Sequence, residues 1–302
     1  MKAVQFSEYG GPEVLRLVET PEPHPAAGQV RIAVRAAGVN PIDWKLRAGY
    51  FREQMPLTFP SGIGFDASGV VDEVGEGVTG VSVGDAVFGQ GINTVAQHAI
   101  LTNWAHKPDS LSFDEAAGYP TAVETATRAL GLLNLKSGET ILVHGAAGGV
   151  GTATLQFAHQ RGIAVIATGR EAKHQHLRSF GARPTTYGPG LVERVKLLAP
   201  NGLSAALDFA GSDVPDLIEL IGDPSRVVTI ADFHAPQKYG VQGSFTEFQK
   251  NPELIFAEAA LLHSKGVFRM PVEETFPIEK ASAAQKRSEA GRVTGKLIIK
   301  VT

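Results

Sequence analysis

A glycine-rich stretch near the middle of the chain has the residue types of a phosphate-binding turn. Thr140-Ile-Leu-Val-His144 has the pattern of a short apolar strand, and Thr152 to Arg161 that of a helix closed by Gly162. Between them lie the turn residues Gly145, Ala146, Gly148, Gly149, Val150 and Gly151. Because a second apolar run, Ile163 to Thr168, follows at once, the stretch fits one βαβ unit.

The glycines of this turn have separable roles. One forms the turn, one lets the backbone approach a pyrophosphate with no Cβ in the way, and one lets the helix pack close to the strand. The helix N-terminus then presents free N–H groups and a positive dipole end to an anion. The turn therefore predicts a dinucleotide site; a glycine-rich turn without a ligand is the alternative.

The end of the second strand indicates which dinucleotide would bind. An Asp or Glu at this point accepts hydrogen bonds from the adenosine ribose and repels a 2′-phosphate. Here Thr168, Gly169 and Arg170 end the strand, Lys173 is close by, and the nearest acid, Glu171, follows the arginine. An arginine can hold a phosphate through two charge-assisted hydrogen bonds worth roughly 1.5–3 kcal/mol each. The sequence thus favours NADPH over NADH; the alternative is an exposed surface arginine.

Length and composition limit the other possibilities. A chain of 302 residues predicts two domains. It has no cysteine, which excludes disulfides, iron–sulfur clusters and cysteine nucleophiles. A formal net charge of -3 with interspersed charges gives no reason to expect nucleic acid or a membrane surface as partner. Without a signal-peptide core or an apolar run of about 18 residues, a cytoplasmic protein is expected.

The N-terminal third is rich in glycine and proline. Its candidate strands, Gln29–Arg35, Ser68–Val74 and Gly80–Phe88, are short and partly alternate apolar with polar residues. This pattern predicts a β-rich barrel domain.

From Ser112 onward helices and strands alternate, beginning with a capping-box pattern of Ser112 and Glu115. The predicted strands are Thr140–Val143, Ala164–Ala167, Ala205–Phe209 and Arg226–Ile230, and the predicted helices are Val123–Leu133, Thr152–Arg161, Lys173–Phe180, Leu191–Leu198 and Val214–Ile221. Such alternation predicts a doubly wound parallel sheet with its ligand at the carboxyl ends of the strands. After a predicted helix at Pro252–Lys265 the first domain resumes. We expect one domain at residues 1–115 and 263–302 and the other at 116–262.

Six stretches carry a family resemblance: Ala37–Asp43, Gly64–Val71, Val83–Phe88, Leu111–Ala117, Val143–Gly151 and Gly291–Lys296. Over nearly its whole length the chain resembles the zinc-independent quinone oxidoreductases of the medium-chain dehydrogenase/reductase superfamily, which include zeta-crystallin-like NADPH:quinone reductases. The resemblance implies an α/β fold, a Rossmann doubly wound parallel sheet plus a discontinuous GroES-like β-barrel domain. It also implies a homodimer formed through the sheet edge, here Tyr239–Phe245.

The resemblance has consequences for chemistry. Where the related alcohol dehydrogenases bind catalytic zinc, this chain has Asn40, Phe65, Asp66 and Thr121, a set that cannot hold zinc tetrahedrally. The activity implied is hydride transfer to an acceptor that is already electrophilic, a quinone or an α,β-unsaturated carbonyl.

The resemblance also implies three catalytic residues. Asn40 and Asp43 lie on the loop that lines the family's cleft, where an amide N–H would bind the substrate carbonyl. Tyr50 would donate a proton or shape the mouth of the site. Each has an alternative role: Asn40 as a turn former, Asp43 as a helix cap and Tyr50 in packing.

Further cofactor contacts implied by position are Thr125, Phe209, Ala210, Ile230 and Lys296, of which only Lys296 has a charge suited to phosphate. Tyr187 is a candidate for stacking near the adenosine or, alternatively, a surface residue. Two other functions stay open. One is an enoyl reductase for carrier-bound or polyketide-type intermediates, and the other is an NADPH-binding redox sensor without turnover.

Overall fold

The computed structural model describes residues 1–245 and 250–301. The strands are β1 (Lys2–Phe6), β2 (Arg16–Glu19), β3 (Val30–Val39), β4 (Ser61–Gly62), β5 (Asp66–Val74), β6 (Ala86–Ile92), β7 (His98–His106), β8 (Thr140–His144), β9 (Ala164–Thr168), β10 (Arg183–Thr185), β11 (Ala205–Asp208), β12 (Val227–Thr229), β13 (Gln242–Gly243), β14 (Val272–Pro277) and β15 (Lys296–Lys300). The α-helices are α1 (Pro41–Arg47), α2 (Phe113–Ala117), α3 (Pro120–Gly131), α4 (Gly149–Gln160), α5 (His174–Ser179), α6 (Leu191–Leu198), α7 (Val214–Ile221), α8 (Ala235–Tyr239), α9 (Pro252–Ser264) and α10 (Ala281–Glu289).

The first compact unit comprises the chain up to Thr121 together with the segment that begins at Asn251. Its main sheet has the order β14-β15-β3-β5-β6-β7, and β3 also pairs with β7. Strands β3, β5, β6 and β7 therefore form a closed ring around apolar side chains such as Ile32 and Leu101. Closure removes exposed strand edges, and it confirms the predicted barrel.

The C-terminal segment completes this first unit. Strand β15 lies between β3 and β14 and is antiparallel to β3. Helix α9 also belongs here, and the ring of its Phe256 lies 6.2 Å from that of Phe88 on β6. The first unit therefore resumes at Asn251, before α9, whereas the predicted boundary between residues 262 and 263 falls within the last turn of that helix.

In its described residues, the second unit, Ala122–Lys250, has six parallel strands in the order β10-β9-β8-β11-β12-β13. This is the order of a dinucleotide-binding Rossmann sheet. The short strands β8, β9 and β12 contribute the buried side chains Leu142, Ile166 and Val227 to one core, as parallel strands covered on both faces do. The predicted doubly wound sheet is confirmed, and α6 and α7 have the predicted bounds.

Within residues 1–245 and 250–301, no helix combines the length and the apolar character that crossing a membrane requires.

Candidate functional site

The turn between β8 and α4 has the geometry of a phosphate cradle. Gly145 has a φ of 79°, a conformation that favours glycine. A Cβ on Gly151 would overlap the backbone of Ala146, so this glycine permits close packing of α4. A Cβ on Gly148 would meet nothing within 4 Å. The backbone at Gly148 is therefore open on the side where a Cβ would lie, which leaves room for a pyrophosphate.

Helix α4 points its N-terminus at this open backbone. Gly148 is the N-cap and supplies no side-chain hydrogen bond, and Gly149, Val150 and Gly151 form the first turn. The first N–H groups of an α-helix have no partners within the helix, and the dipole adds positive potential there. The predicted turn residues thus fit a bound dinucleotide phosphate.

His144 and Thr168 link the ends of the two strands beside the turn. The Thr168 hydroxyl lies 3.0 Å from Nδ1 of His144 and accepts a hydrogen bond from the Gly145 N–H, also at 3.0 Å. Burial lowers the pKa of His144, partly offset by Asp208. A neutral imidazole that stabilises the turn is the role this arrangement favours.

The predicted 2′-phosphate residues gather at the carboxyl end of β9. Gly169 and Arg170 follow the strand, and a short 3-10 helix ends at Lys173. The Nε of Arg170 donates to the Tyr187 hydroxyl at 3.1 Å. Tyr187 is 45% exposed, so the structure brings a guanidinium and an accessible ring together where the adenosine end of the cofactor is expected.

Asp208 orders the loops at the carboxyl ends of β11 and β12 and was not among the site residues predicted from the sequence. Its Oδ1 accepts from the N–H groups of Ala210 and Gly211 at 3.0 and 2.9 Å. Its Oδ2 accepts from the Thr229 hydroxyl at 2.7 Å. The signal for it was an aspartate at the end of an apolar run. The expected contacts Phe209, Ala210 and Ile230 follow these two strands directly.

Thr125 lies on α3 in the second unit and is buried. Its hydroxyl donates to Glu124, and the guanidinium of Arg128 lies 3.5 Å from it. Burial with polar neighbours gives this residue a local structural role; its expected cofactor contact stays a prediction.

A polar cluster in the first unit contains Asn40, Asp43, Asp66, Thr121 and Lys296, of which all but Thr121 are buried. We refer to these five residues as the buried cluster. The Asn40 Nδ2 donates to Asp66 Oδ2 at 2.9 Å, and the Asn40 backbone N–H donates to Asp43 Oδ2 at 2.8 Å. The Thr121 hydroxyl donates to Asp66 Oδ1 at 2.6 Å.

Lys296 joins the same cluster from β15. Its ammonium donates to the Asn40 amide oxygen and lies 3.6 Å from Asp66 Oδ2. The side chain is only 4% exposed. This burial does not favour the phosphate contact that the sequence analysis expected of Lys296. Sequence reasoning recognised the charge but had no means of placing it beside Asn40.

Burial also shifts the acid–base properties of the cluster. Desolvation raises the pKa of Asp66, while Lys296 and the hydrogen bonds from Thr121 and Asn40 oppose that shift. Desolvation lowers the pKa of Lys296, against the attraction of Asp66. Desolvation raises the pKa of Asp43 to about 7. The Oδ1 of Asp43 is buried and has no hydrogen-bond partner in the described structure.

These residues do not fit a zinc ion. Asn40 and Thr121 both direct donors at Asp66, and the nearby cation is the Lys296 ammonium. In the part of the chain that the structure describes, no group of three or more His, Cys, Asp or Glu side chains could hold a metal. The cluster instead combines hydrogen-bond donors with a buried positive charge.

Tyr50 lies apart from these hydrogen bonds. Its side chain is 66% exposed, and its ring packs edge-on against Trp44 at a centroid distance of 5.5 Å. Asp43 caps α1 by accepting from the Asn40 N–H. The structure thus groups Asn40 with Asp43 but gives Tyr50 a packing contact; the catalytic roles expected of all three stay predictions.

Two family models match the chain. One, described as "Alcohol dehydrogenase GroES-like domain", matches residues 26–128, and the other, "Zinc-binding dehydrogenase", matches residues 186–299.

Similar proteins cover the whole length. The 2-methylene-furan-3-one reductase of Solanum lycopersicum is 39% identical over 99% of this chain and 79% of its own. A quinone oxidoreductase structure from Coxiella burnetii shares 31% identity with a TM-score of 0.87, covering 100% of this chain and 99% of its own. The Escherichia coli quinone oxidoreductase complexed with NADPH shares 25% identity with a TM-score of 0.87, covering 100% of both chains.

Proposed function

Because the chain belongs to the medium-chain dehydrogenase/reductase superfamily, among its zinc-independent quinone oxidoreductases, we propose that it uses NADPH to reduce quinones or α,β-unsaturated carbonyls. It is a nicotinamide-dependent oxidoreductase. The preference for NADPH, the class of acceptor and the residues that act are parts of this proposal.

The observation that carries the proposal is the open backbone at Gly148 beneath the uncapped N-terminus of α4. This arrangement suits the cofactor's pyrophosphate. At the carboxyl end of β9, Arg170 and Lys173 provide positive charge for a 2′-phosphate and Tyr187 provides a ring for the adenosine. The E. coli relative is complexed with NADPH, which supports the same choice here.

NADPH, when bound, supplies a hydride from C4 of its nicotinamide. The protein's part is to bind the acceptor's carbonyl oxygen while negative charge develops on it, and preorganised N–H donors do this effectively. Asn40 is the residue we assign to that contact. Since the buried cluster cannot hold zinc, the acceptor has to be electrophilic already. The name of the tomato relative describes a methylene group conjugated to a ring ketone, which supports an enone acceptor.

Oxidation of NADPH and of NADH, followed at the nicotinamide absorbance, tests the proposal. The acceptors are benzoquinones, naphthoquinones and enones, with and without a chelator. We expect chelator-resistant turnover with NADPH and a much lower kcat/KM with NADH. NADPH binding without reduction of any acceptor would sink the proposal and favour the redox sensor. Faster reduction of an alkenoyl thioester than of every quinone and free enone would favour the enoyl reductase.

We also propose that the protein is a homodimer. Strand β13 ends the strand order of the Rossmann sheet; it covers only Gln242–Gly243 of the predicted edge Tyr239–Phe245, whose first residue instead ends α8. An edge strand presents backbone N–H and C=O groups to a partner strand. Light scattering at micromolar concentration should give the mass of two chains, and the mass of one chain would refute the dimer.

A further inference from the structure

The side-chain amide of Asn40 is bound at both of its ends. Its oxygen accepts a hydrogen bond from the Lys296 ammonium, and its nitrogen donates to Asp66 at 2.9 Å. Lys296 stands 256 positions further along the chain. The relationship therefore depends on the pairing of β15 with β3, which places Leu297 opposite Val39.

These two partners allow only one orientation of the amide. An ammonium can only donate a hydrogen bond, and an ionised carboxylate can only accept one. A flipped amide would place its NH2 group against the ammonium and its oxygen against the carboxylate. Both contacts would then be repulsive inside a buried site, where unpaired polar groups are costly.

One N–H of the Asn40 amide remains weakly held. The contact from Asn40 Nδ2 to the Thr121 hydroxyl is 3.5 Å long, beyond the usual length of an N–H···O bond. The Thr121 hydroxyl already donates to Asp66 at 2.6 Å. The hydroxyl oxygen can still accept, but because its contact with the second N–H of Asn40 is so long, that N–H has capacity for a closer acceptor.

We propose that Lys296 and Asp66 are positioning residues that fix the Asn40 amide so that an N–H, and not the oxygen, meets the carbonyl oxygen of the acceptor. This inference rests on the proposed reduction of a quinone or enone. Lys296 thereby acts on catalysis through Asn40 and not by binding the cofactor's phosphate. The ion pair of Lys296 with Asp66 keeps both charges compensated, and both of these side chains are almost completely buried.

A double-mutant cycle on kcat tests the proposal. The variants are Lys296→Met, Asn40→Ala and their combination, and the control is Lys300→Met, an exposed lysine on the same strand that pairs with Asp114. We expect Lys296→Met to lower kcat about tenfold or more, since loss of one transition-state donor lowers kcat about 10²–10³-fold. In the Asn40→Ala background, adding Lys296→Met should not lower kcat further. The Kd for NADPH should stay within about twofold, or roughly 0.4 kcal/mol.

Two results would overturn the proposal. One is an equal loss of kcat from Lys296→Met in both backgrounds, which would mean that Lys296 does not act through Asn40. The other is a large rise in the NADPH Kd, which would return Lys296 to the phosphate contact. If Lys296→Met does not fold, the double variant Lys296→Met/Asp66→Asn, which removes both charges of the pair, replaces it in the cycle. The expected loss of kcat is the same.

A measurement on the resting protein separates this proposal from the proposed function. In protein labelled with 15N-asparagine, the Asn40 side-chain signals are those lost in Asn40→Ala. We expect their protons to exchange with solvent at least about tenfold faster in Lys296→Met than in the wild type or Lys300→Met. Unchanged exchange would overturn the positioning role even if the enzyme is active. If the wild type reduces no acceptor but exchange accelerates as expected, only the proposed function fails.

Discussion

The guanidinium of Arg170 donates a hydrogen bond from Nε to the hydroxyl of Tyr187, 3.1 Å away. This contact engages the Nε edge of the guanidinium, whereas a guanidinium has five N–H donors in all. Tyr187 thereby holds the Arg170 side chain at the carboxyl end of β9, and the other N–H donors of Arg170 are available to an anion. The pair forms the structural basis for our choice of NADPH.

Replacing Arg170 by aspartate should reverse the cofactor preference. A carboxylate at this place repels a 2′-phosphate and accepts from a ribose hydroxyl. We expect Arg170→Asp to weaken NADPH about a hundredfold, or roughly 3 kcal/mol, and NADH far less. Fluorescence titration with both cofactors measures this. The control is Lys196→Asp, an equal charge change at a solvent-exposed residue paired with Glu219. Equal weakening of NADPH and NADH would place the 2′-phosphate elsewhere.

Replacing two glycines of the same turn by alanine should have different effects, one on NADPH affinity and the other on Tm. A Cβ at Gly148 meets open space, so Gly148→Ala should keep the wild-type Tm and lose about tenfold or more in NADPH affinity, because the methyl group occupies the phosphate's approach. Gly151→Ala forces a Cβ into the Ala146 backbone and should lower Tm by several degrees, since overpacking costs about 1–3 kcal/mol. Thermal unfolding and cofactor titration of both variants check this. Unchanged NADPH affinity in Gly148→Ala contradicts the assigned cradle.

The raised pKa of Asp43 predicts a pH-dependent stability. Burial raises this pKa to about 7, against about 3.9 for an unfolded aspartate. Between these values the folded state binds more protons than the unfolded state, so the free energy of unfolding falls as pH rises from about 4 to about 7. The slope is at most about 1.4 kcal/mol per pH unit. Asp43→Asn should remove this part of the dependence, as urea denaturation at several pH values would show. If the free energy of unfolding has the same pH dependence in the wild type and in Asp43→Asn, the prediction is wrong.

The buried ion pair of Glu124 with Arg128 should matter more for stability than an exposed pair. The two residues lie one turn apart on α3 at 2.9 Å, with side chains 1% and 9% exposed. Glu124→Gln leaves the Arg128 charge uncompensated and should cost about 3–5 kcal/mol. The matched control is Glu219→Gln in the exposed pair with Lys196, which should stay within about 1 kcal/mol of the wild type. Urea denaturation gives both values, and equal losses would contradict the argument.

Local signals in the sequence were sufficient for much of the fold. The apolar periodicity of Leu191–Leu198 and Val214–Ile221 defined both helices to the residue, and Ser112 accepts from the Glu115 N–H as its capping pattern predicted. Helix α1 was not among the predicted helices, because the Asn40-Pro41 pair is typical of turns, but the alternative role of Asp43 as a helix cap anticipated it, and proline also suits the first helical position.

The buried cluster could be predicted only in part. Asn40 and Asp43 were identified through a local resemblance. Asp66 and Thr121 were noted only because they stand where the related alcohol dehydrogenases have zinc ligands. Lys296 was visible as a charge, but its partner depends on strand pairing between residues far apart in sequence. Burial and orientation of a side chain are tertiary properties, and no local pattern encodes them.

The position of β15 between β3 and β14 has a consequence for synthesis on the ribosome. The second unit is one continuous segment, so all of its strands emerge before the first unit has received its last two. Until β15 arrives, β3 lacks one neighbour and the Asn40 amide lacks its lysine. The nascent chain therefore carries an incomplete first sheet throughout translation of the Rossmann unit, and the buried cluster is among the last features to assemble.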